Sequence, residues 1–304
     1  MPDKILCVGE ILWDALPDGL FLGGAPFNVA RHLHKLGKDV AFVSRIGDDV
    51  LGQEAMRRLQ AQRLDAALVQ TDDTLPTGFV RVALDRHTGE PAYEIVEPAA
   101  WDAIALTDAL RQCTRTADAL VFGSLAQRAA RSRATIHHLC DTESVTRVFD
   151  INVRPPYVNR AVVEHSLRAA DVVKLNTDEL GQLRDWFALP AARADALQEV
   201  ALTFGCTAVC TTGGSEGAWL WQNGTCTHHP GYDVDVADTV GAGDAFLSAL
   251  LTGLLDGRGG EPLLALANRL GAYVAAHAGA NPAYEVETLE DICHLPLEAA
   301  SSHP

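Results

Sequence analysis

The 304-residue chain is short of basic side chains: 24 lysines and arginines stand against 40 aspartates and glutamates, a formal net charge of −16. Nucleic acid and anionic membrane surfaces demand a basic footprint, so neither is expected as a partner. A small anion is a different case, because a few local donors can hold one. No stretch reaches the roughly 20 apolar residues of a membrane span. The start, MPDKILCVGEILWD, is broken by Asp3, Lys4, Glu10 and Asp14 and forms no apolar leader core. Cysteines are unpaired in pattern: seven, widely scattered, with only Cys206 and Cys210 close together, in a run that reads as a buried strand. They read as core thiols of a protein in a reducing cytoplasm. No G-x-x-x-x-G-K-[ST] string is present, so the chain is not a P-loop enzyme. Nor does a G-x-G-x-x-G follow the first apolar run, which argues against a dinucleotide-binding dehydrogenase. Repeats and low-complexity tracts are also missing, and only the tail AASSHP looks loose.

What is present is ordinary globular chemistry, 48% hydrophobic and 21% charged. At this length roughly 75% of the unfolded surface can be buried, so no disulfide or structural metal is needed. Short apolar, β-branched runs predict strands at 5–8, 40–46, 67–69, 119–123, 148–151, 172–175 and 208–212. Amphipathic stretches predict helices near 26–36, 52–63, 107–116, 129–140, 160–169, 178–187 and 192–204. Such alternation predicts an α/β fold, a mostly parallel sheet with helices on both faces. Two places break it. Residues 77–97 read as a β-hairpin around the polar turn HTGEP, and residues 14–24 are a Pro/Gly-punctuated excursion. We expect one domain over 1–304, with a small β lid from discontinuous segments at about 14–24 and 76–100. An ordinary surface hairpin is the plainer alternative.

The strongest chemical signal is DTVGAGDAF, Asp238 to Phe246, opening an apolar helix that runs to about Leu255. Gly241 and Gly243 allow a tight turn with unobstructed N–H groups. With the positive end of the helix dipole those groups form an anion site, suited to a phosphate or a developing negative charge. Asp244 falls in the first helical turn, where a carboxylate is expected to stay ionised at neutral pH and accept a proton from an attacking hydroxyl. An anion hole beside a base is what phosphoryl transfer to an alcohol requires. Read alone, Asp238 and Asp244 could equally cap and charge-complement a helix start.

DTVGAGDAF resembles the second signature of the ribokinase-like (PfkB) carbohydrate kinases. GGAPFNVA, Gly23 to Ala30, with Gly37 and Gly47 at matching intervals, resembles the first. The resemblance implies a Rossmann-like sheet, with the β lid closing over a sugar. It implies that Asp244 is the catalytic base and that the amides of Gly241, Ala242, Gly243 and Asp244 form the anion hole. Asp14, Gly24 and Asn28 match positions that hold sugar hydroxyls; Asp14 alone could be a turn residue. The element Lys174-Leu-Asn176-Thr-Asp-Glu179 resembles the family's N-x-x-E. Asn176 would reach a nucleotide phosphate and Glu179 a magnesium-bound water. As bare sequence the pair reads as an N-cap with a capping-box glutamate, and both readings stand together. Thr212, Gly214 and Gly217 fall in a loop that resembles the one lying along the nucleotide, and Asn268 is placed in the adenine pocket. A monovalent cation, K+, is implied beside the anion hole, on the Asp238 carboxylate and backbone near Val240, Val274, His277 and Gly279. ATP and Mg2+ are thus the implied cosubstrate and metal. A homodimer through the lid is implied by analogy.

Within the family, Gly9-Glu10-Ile-Leu-Trp13-Asp14, Gly123-Ser-Leu-Ala-Gln127-Arg128, Ala100-Trp101-Asp102 and Asp150-Ile-Asn152-Val-Arg154 together resemble bacterial fructokinases. Strand alternation predicts that Asp150, Asn152 and Arg154 point together into a strand-end cleft. Arg154 could hold a substrate oxygen or pair with Asp150; Gln127 and Arg128 could line the sugar pocket. Tyr93 and Trp101 could pack on the sugar or belong to the lid core. The expected activity is ATP-dependent phosphorylation of fructose. The rivals are a 2-keto-3-deoxygluconate kinase or nucleoside kinase of the same fold, and a catalytically silent sugar-binding regulatory protein. A second cation near the sugar would favour the sugar acid.

Overall fold

A computed structural model describes residues 2–16, 19–84 and 91–284, the side chains of 82–84 and 91–93 excepted. Residues 87–90 of the turn HTGEP, the Tyr93 side chain and the tail AASSHP therefore lie outside the described residues. The first part of the chain runs β1 (Lys4–Val8), β2 (Leu12–Leu16), β3 (Gly19–Gly23), α1 (Ala25–Lys35), β4 (Asp39–Gly47), α2 (Val50–Ala61) and β5 (Val69–Asp72). Next come β6 (Gly78–Leu84), β7 (Pro91–Ile95), α3 (Asp108–Arg115), β8 (Ala119–Gly123), α4 (Ala130–Cys140), β9 (Thr146–Asp150) and α5 (Arg160–Ala169). The last part is β10 (Val172–Asn176), α6 (Thr177–Phe187), α7 (Arg193–Phe204), β11 (Ala208–Thr212), β12 (Ala218–Gln222), β13 (Thr225–His229), α8 (Ala242–Leu255) and α9 (Gly260–Ala275).

A nine-stranded sheet has the order β13-β12-β11-β10-β9-β8-β1-β4-β5. From β11 to β5 every pairing is parallel, and β12 and β13 add antiparallel at one edge. Fully apolar strands such as ALVFG of β8 are buried on both faces, as a covered parallel sheet demands. The chain leaves β1 toward β4 on one side and later returns to β8 on the other. The cleft for ligands in such sheets lies where the order reverses, at the carboxyl ends of the strands. Residues 9–10, 150, 176 and 212 all sit at those ends.

The smaller sheet, β3-β2-β6-β7, is built from the two excursions seen in the sequence, joined by a parallel β2–β6 pairing. Its base is fixed by Asp49, which caps α2 through the Gly52 N–H and also accepts from the Thr77 N–H and hydroxyl at 2.8 and 2.7 Å. The strand expected at 67–69 lies instead at Val69–Asp72, because the Asp65 side chain draws the Ala67 N–H into a turn. The hairpin β12–β13 turns on Asn223 and Gly224, both at positive φ (53° and 78°), a pairing typical of tight hairpins. That hairpin and α9 are additions to the elements anticipated. Helix α8 is buried on nearly every side from Asp244 to Leu251, between α1 and α9, so its apolar sequence needs no polar face. Among the described residues no helix is long and apolar enough to cross a membrane.

Candidate active site

The head of α8 is shaped by Gly241, at φ 78°. A Cβ there would stand 2.5 Å from the Ala280 Cα, so both the conformation and the close approach require glycine. Asp244, on the first turn, is 8% exposed and accepts from the Asn28 amide, Nδ2 to Oδ2, at 2.8 Å. Burial, and next the nearby Asp150 charge, push its carboxyl up to about 7; Lys174, Asn28 and Arg154 act in the opposite direction. The expectation of a fully ionised carboxylate at neutral pH is therefore corrected: desolvation brings the titration of this group up toward neutrality. One of the four anticipated anion-hole amides, that of Ala242, already donates to the Thr239 carbonyl at 3.3 Å.

Beneath the hole lies a cation that sequence reasoning passed over. Lys174 is 6% exposed and donates from Nζ to both oxygens of Asp150, at 3.0 and 3.3 Å. The same Nζ is 3.0 Å from where a Gly243 Cβ would stand, so it sits against the amide loop. Burial works against its charge, but Asp150, Glu179 and Asp244 outweigh it and hold the ammonium above its usual range. The signal in the sequence was a lysine within an otherwise apolar strand, VVKLN.

On the other side of Asp244 the walls are acidic. Glu10, just past β1, is 3% exposed, and burial pushes its carboxyl up to about 6. Asp14, half-buried on β2, is likewise pushed up to about 6 by burial, with Arg154 opposing. Gly24 has φ 115°, and a Cβ there would collide with the Glu10 carbonyl at 2.4 Å. This lets the chain turn from the lid straight into α1 and brings Asn28 under the cleft. Strand β9 ends at Asp150 and Asn152 adopts a left-handed φ of 40°, so simple alternation does not govern this stretch. Asp150 turns down to Lys174, while Arg154 stays exposed within electrostatic reach of Glu10, Asp14 and Asp244.

Two anticipated sugar contacts are corrected, and for Trp101 the core alternative holds. Gln127 is fully buried, its amide donating to Gly123 O and Ser166 Oγ at 2.8 and 2.9 Å. Arg128 is committed to a paired bond with Asp102, both at 2.8 Å, with its side chain 5% exposed. Trp101 is wholly buried, with the Arg128 guanidinium 3.9 Å from its ring, so it is lid-base core.

The opposite side of the hole opens into a cavity of about 460 Å³. Thr212, Gly214, Gly217 and Asn268 converge on it, with Ala242 and Gly243. Phe246, Gly271, Ala272, Ala275 and the irregular segment from Pro230 to Val236 complete its walls. These last groups were not anticipated, since an irregular wall carries no periodic signal. Asn176 and Glu179 form the capping box of α6: Asn176 Oδ1 accepts from the Glu179 N–H, and Glu179 Oε2 from the Asn176 N–H, both at 2.8 Å. Glu179 Oε1 also accepts from the Val153 N–H at 2.9 Å, tying the loop after β9 to α6. Asp238 accepts from the N–H groups of Val240 and Gly279, each at 3.0 Å, and its own N–H meets Ala275 O at the end of α9. Val274 and His277 flank that end, where the His277 N–H bonds Val274 O.

A buried carboxyl, an amide loop and a cleft between two sheets thus stand in one place. The sequence pattern of the "pfkB family carbohydrate kinase" matches residues 18–287. The chain belongs to that family. It is 31% identical to a fructokinase of Escherichia coli, with 92% of this chain and 95% of the relative covered. It is also 31% identical to a fructokinase of Rhizobium leguminosarum bv. trifolii, covering 82% and 79%. The structure of an uncharacterized sugar kinase from Pyrococcus horikoshii in complex with ATP superposes with a TM-score of 0.77, at 26% identity, covering 95% and 99%. This pfkB-family chain is therefore a sugar kinase with a ribokinase-like fold, the smaller sheet fitting the role of lid.

Proposed function

We propose that this kinase transfers the γ-phosphoryl group of ATP to a hydroxyl of fructose. The observation that carries the choice of a neutral sugar is the charge around the acceptor side. Glu10, Asp14, Asp150 and Asp244 are gathered there, Lys174 is held by Asp150, and Arg128, the other arginine anticipated at the sugar, is consumed by Asp102. Neutral hydroxyls pair with carboxylates and an amide, whereas a sugar acid would have to rely on Arg154. Arg154 is also the one observation favouring 2-keto-3-deoxygluconate as a second reading. The fructokinase names of the relatives agree with the first.

In the proposed reaction Asp14, the Gly24 backbone and Asn28 orient the sugar, and the lid excludes water. The Asp244 carboxylate takes the hydroxyl proton while the oxygen forms its bond to the γ-phosphorus. The bond from that phosphorus to the β–γ bridging oxygen breaks, and ADP leaves with its electron pair. The amides at 241–244 and Lys174 neutralise the transferring group. The nucleotide base and ribose occupy the 460 Å³ cavity beside Asn268. No cluster of three acidic, histidine or cysteine ligands is found among the described residues, which suits magnesium that arrives on the nucleotide and keeps several waters. Magnesium would supply charge neutralisation across the phosphates, with Glu179 beside its waters. Asp238 and the negative end of α9 have the chemistry for K+. Lid residues Leu16, Leu20 and Phe21 are 38%, 45% and 45% exposed, and we assign that face to a second copy of the chain. Sedimentation of Phe21→Ser against the parent tests it.

A coupled ADP-release assay across fructose, 2-keto-3-deoxygluconate, ribose and adenosine tests the substrate. Fructose should give the highest kcat/KM. A preference for the sugar acid would move the assignment to the second reading, and indifference to all four would sink both.

A further inference from the structure

The segment after α9 touches both halves of the reaction centre. Ala280 packs against Gly241 and the Gly279 N–H holds Asp238, so its first residues brace the amide loop. Its next residue faces the base. Asn281 donates from Nδ2 to Asn28 Oδ1 at 2.6 Å, and Asn28 donates from Nδ2 to Asp244 Oδ2 at 2.8 Å.

We propose that Asn281 is a positioning residue that fixes the orientation of Asn28 and so keeps an N–H, never a carbonyl oxygen, on the catalytic carboxylate of Asp244. An amide side chain can rotate by half a turn at little cost in shape, exchanging donor for acceptor. Rotated, Asn28 would set its oxygen against the carboxylate, and its NH2 would face the Asn281 NH2 unless the Asn281 amide, whose Oδ1 has no partner, turned with it. Asn28 is 5% exposed, so water cannot readily repair either. Asn281 itself is aimed by its backbone. His32, fully buried on α1, bonds the Ala280 carbonyl through Nε2 at 3.1 Å and Tyr284 OH through Nδ1 at 2.6 Å. Lys35 donates to the Pro282 carbonyl at 2.9 Å. A carbonyl only accepts, so Nε2 carries the proton and Nδ1 accepts from the tyrosine. Burial pushes His32 down to about 4, which keeps that neutral tautomer through the physiological range. The segment is thereby pinned from behind, on both sides of Asn281.

The proposal rests on Asp244 as the base, and the test separates the two. The variants are Asn281→Ala, Asn281→Asp and Asn281→Ser in the full chain, each also combined with Asn28→Ala, with melting temperature as the check on folding. Asn281→Ala should lose roughly tenfold in kcat with the KM for ATP unchanged within about twofold, and Asn281→Asp about 100-fold, because a carboxylate invites Asn28 to rotate. Asn281→Ser, which keeps a donor, should recover part of the loss. In the Asn28→Ala background the Asn281→Asp change should cost less than about twofold, since there is no amide left to orient. The acid limb of the kcat/KM profile should also move up in Asn281→Ala, as Asp244 loses a donor while Asp150, Lys174 and Arg154 stay in place. A loss that persists undiminished in the Asn28→Ala background, or Asn281 variants within twofold of the parent, would overturn the proposal. Near-normal turnover in Asp244→Asn would instead overturn the base assignment itself.

Discussion

The two sides of the anion hole are built from opposite materials. The side proposed for the acceptor is made of side chains: Glu10, Asp14, Asn28, Asp150 and Asp244, most of them buried at strand ends or on the first turns of helices. The side proposed for the nucleotide is made mainly of backbone and apolar surface, with Gly214, Gly217, Gly231, Gly271, Val234, Val236 and Phe246 around one cavity. A hydroxyl sugar is distinguished from its isomers by directional bonds to fixed oxygens. A polyanion needs positive potential, and backbone amides with a single buried lysine supply it without a basic surface. This explains how a chain with a net charge of −16 can hold a nucleotide. It also implies that single substitutions should act very unequally on the two sides.

The largest effect should come from Asp244→Asn. Loss of a positioned base costs about 10²–10⁴-fold in turnover, read as kcat with ATP binding retained. The same change should stabilise the fold. A carboxyl raised from its unfolded value to about 7 binds its proton more tightly in the native state. Native stability therefore falls as pH rises through that window, and above it the buried charge is an unrelieved cost. The melting temperature of Asp244→Asn should exceed that of the parent by more at pH 8 than at pH 5. In the parent, kcat/KM should fall on the acid side with a midpoint near 7, where burial puts the Asp244 carboxyl. A profile flat to pH 5 would remove Asp244 from the role.

Lys174→Met attacks the one side chain shared by both sides. Turnover should fall at least tenfold or so, and the acid limb should shift upward, since Lys174 favours the ionised Asp244. Removing one partner of a buried ion pair costs about 3–5 kcal/mol, so denaturant unfolding should register a large loss as well. Lys174→Met with Asp150→Leu should recover stability and leave activity low. Recovery of both would reduce the pair to a structural element. Asp14→Asn, on the acceptor side alone, should raise the sugar KM by about tenfold, one charge-assisted bond's worth, while the ATP KM stays put.

How much of this could be read beforehand follows the same division. The meeting of Asn28 with Asp244 was legible because the two motifs that carry them resemble the two signatures of one family. The parallel sheet was legible because doubly covered strands are nearly pure apolar runs. The wall at 230–236 was not, since a backbone-lined surface accepts many sequences and has no period. Arg128 and Gln127 misled for a related reason: a polar side chain beside a motif reads alike whether it faces a ligand or closes a buried bond. The role of Lys174 is not legible in its motif, because burial of a lysine shows only when the Asp150 carboxylate is found opposite it. The hairpin at 218–229 had its Asn-Gly turn in plain view and was overlooked beside the stronger βαβ rhythm.

The smallest effect should be on the nucleotide side, at Asn268. Its amide already donates to the Leu264 carbonyl one turn earlier at 2.9 Å, so it lines the cavity without being free to give all its bonds to a ligand. Apolar and backbone contacts carry the rest of the surface, and they survive truncation. Asn268→Ala should therefore raise the KM for ATP only about two- to fivefold, the worth of one modest hydrogen bond, and leave kcat and the sugar KM unchanged. A rise of tenfold or more in the ATP KM, as large as the effect of Asp14→Asn on the sugar KM, would mean that the nucleotide is recognised by directed side chains after all.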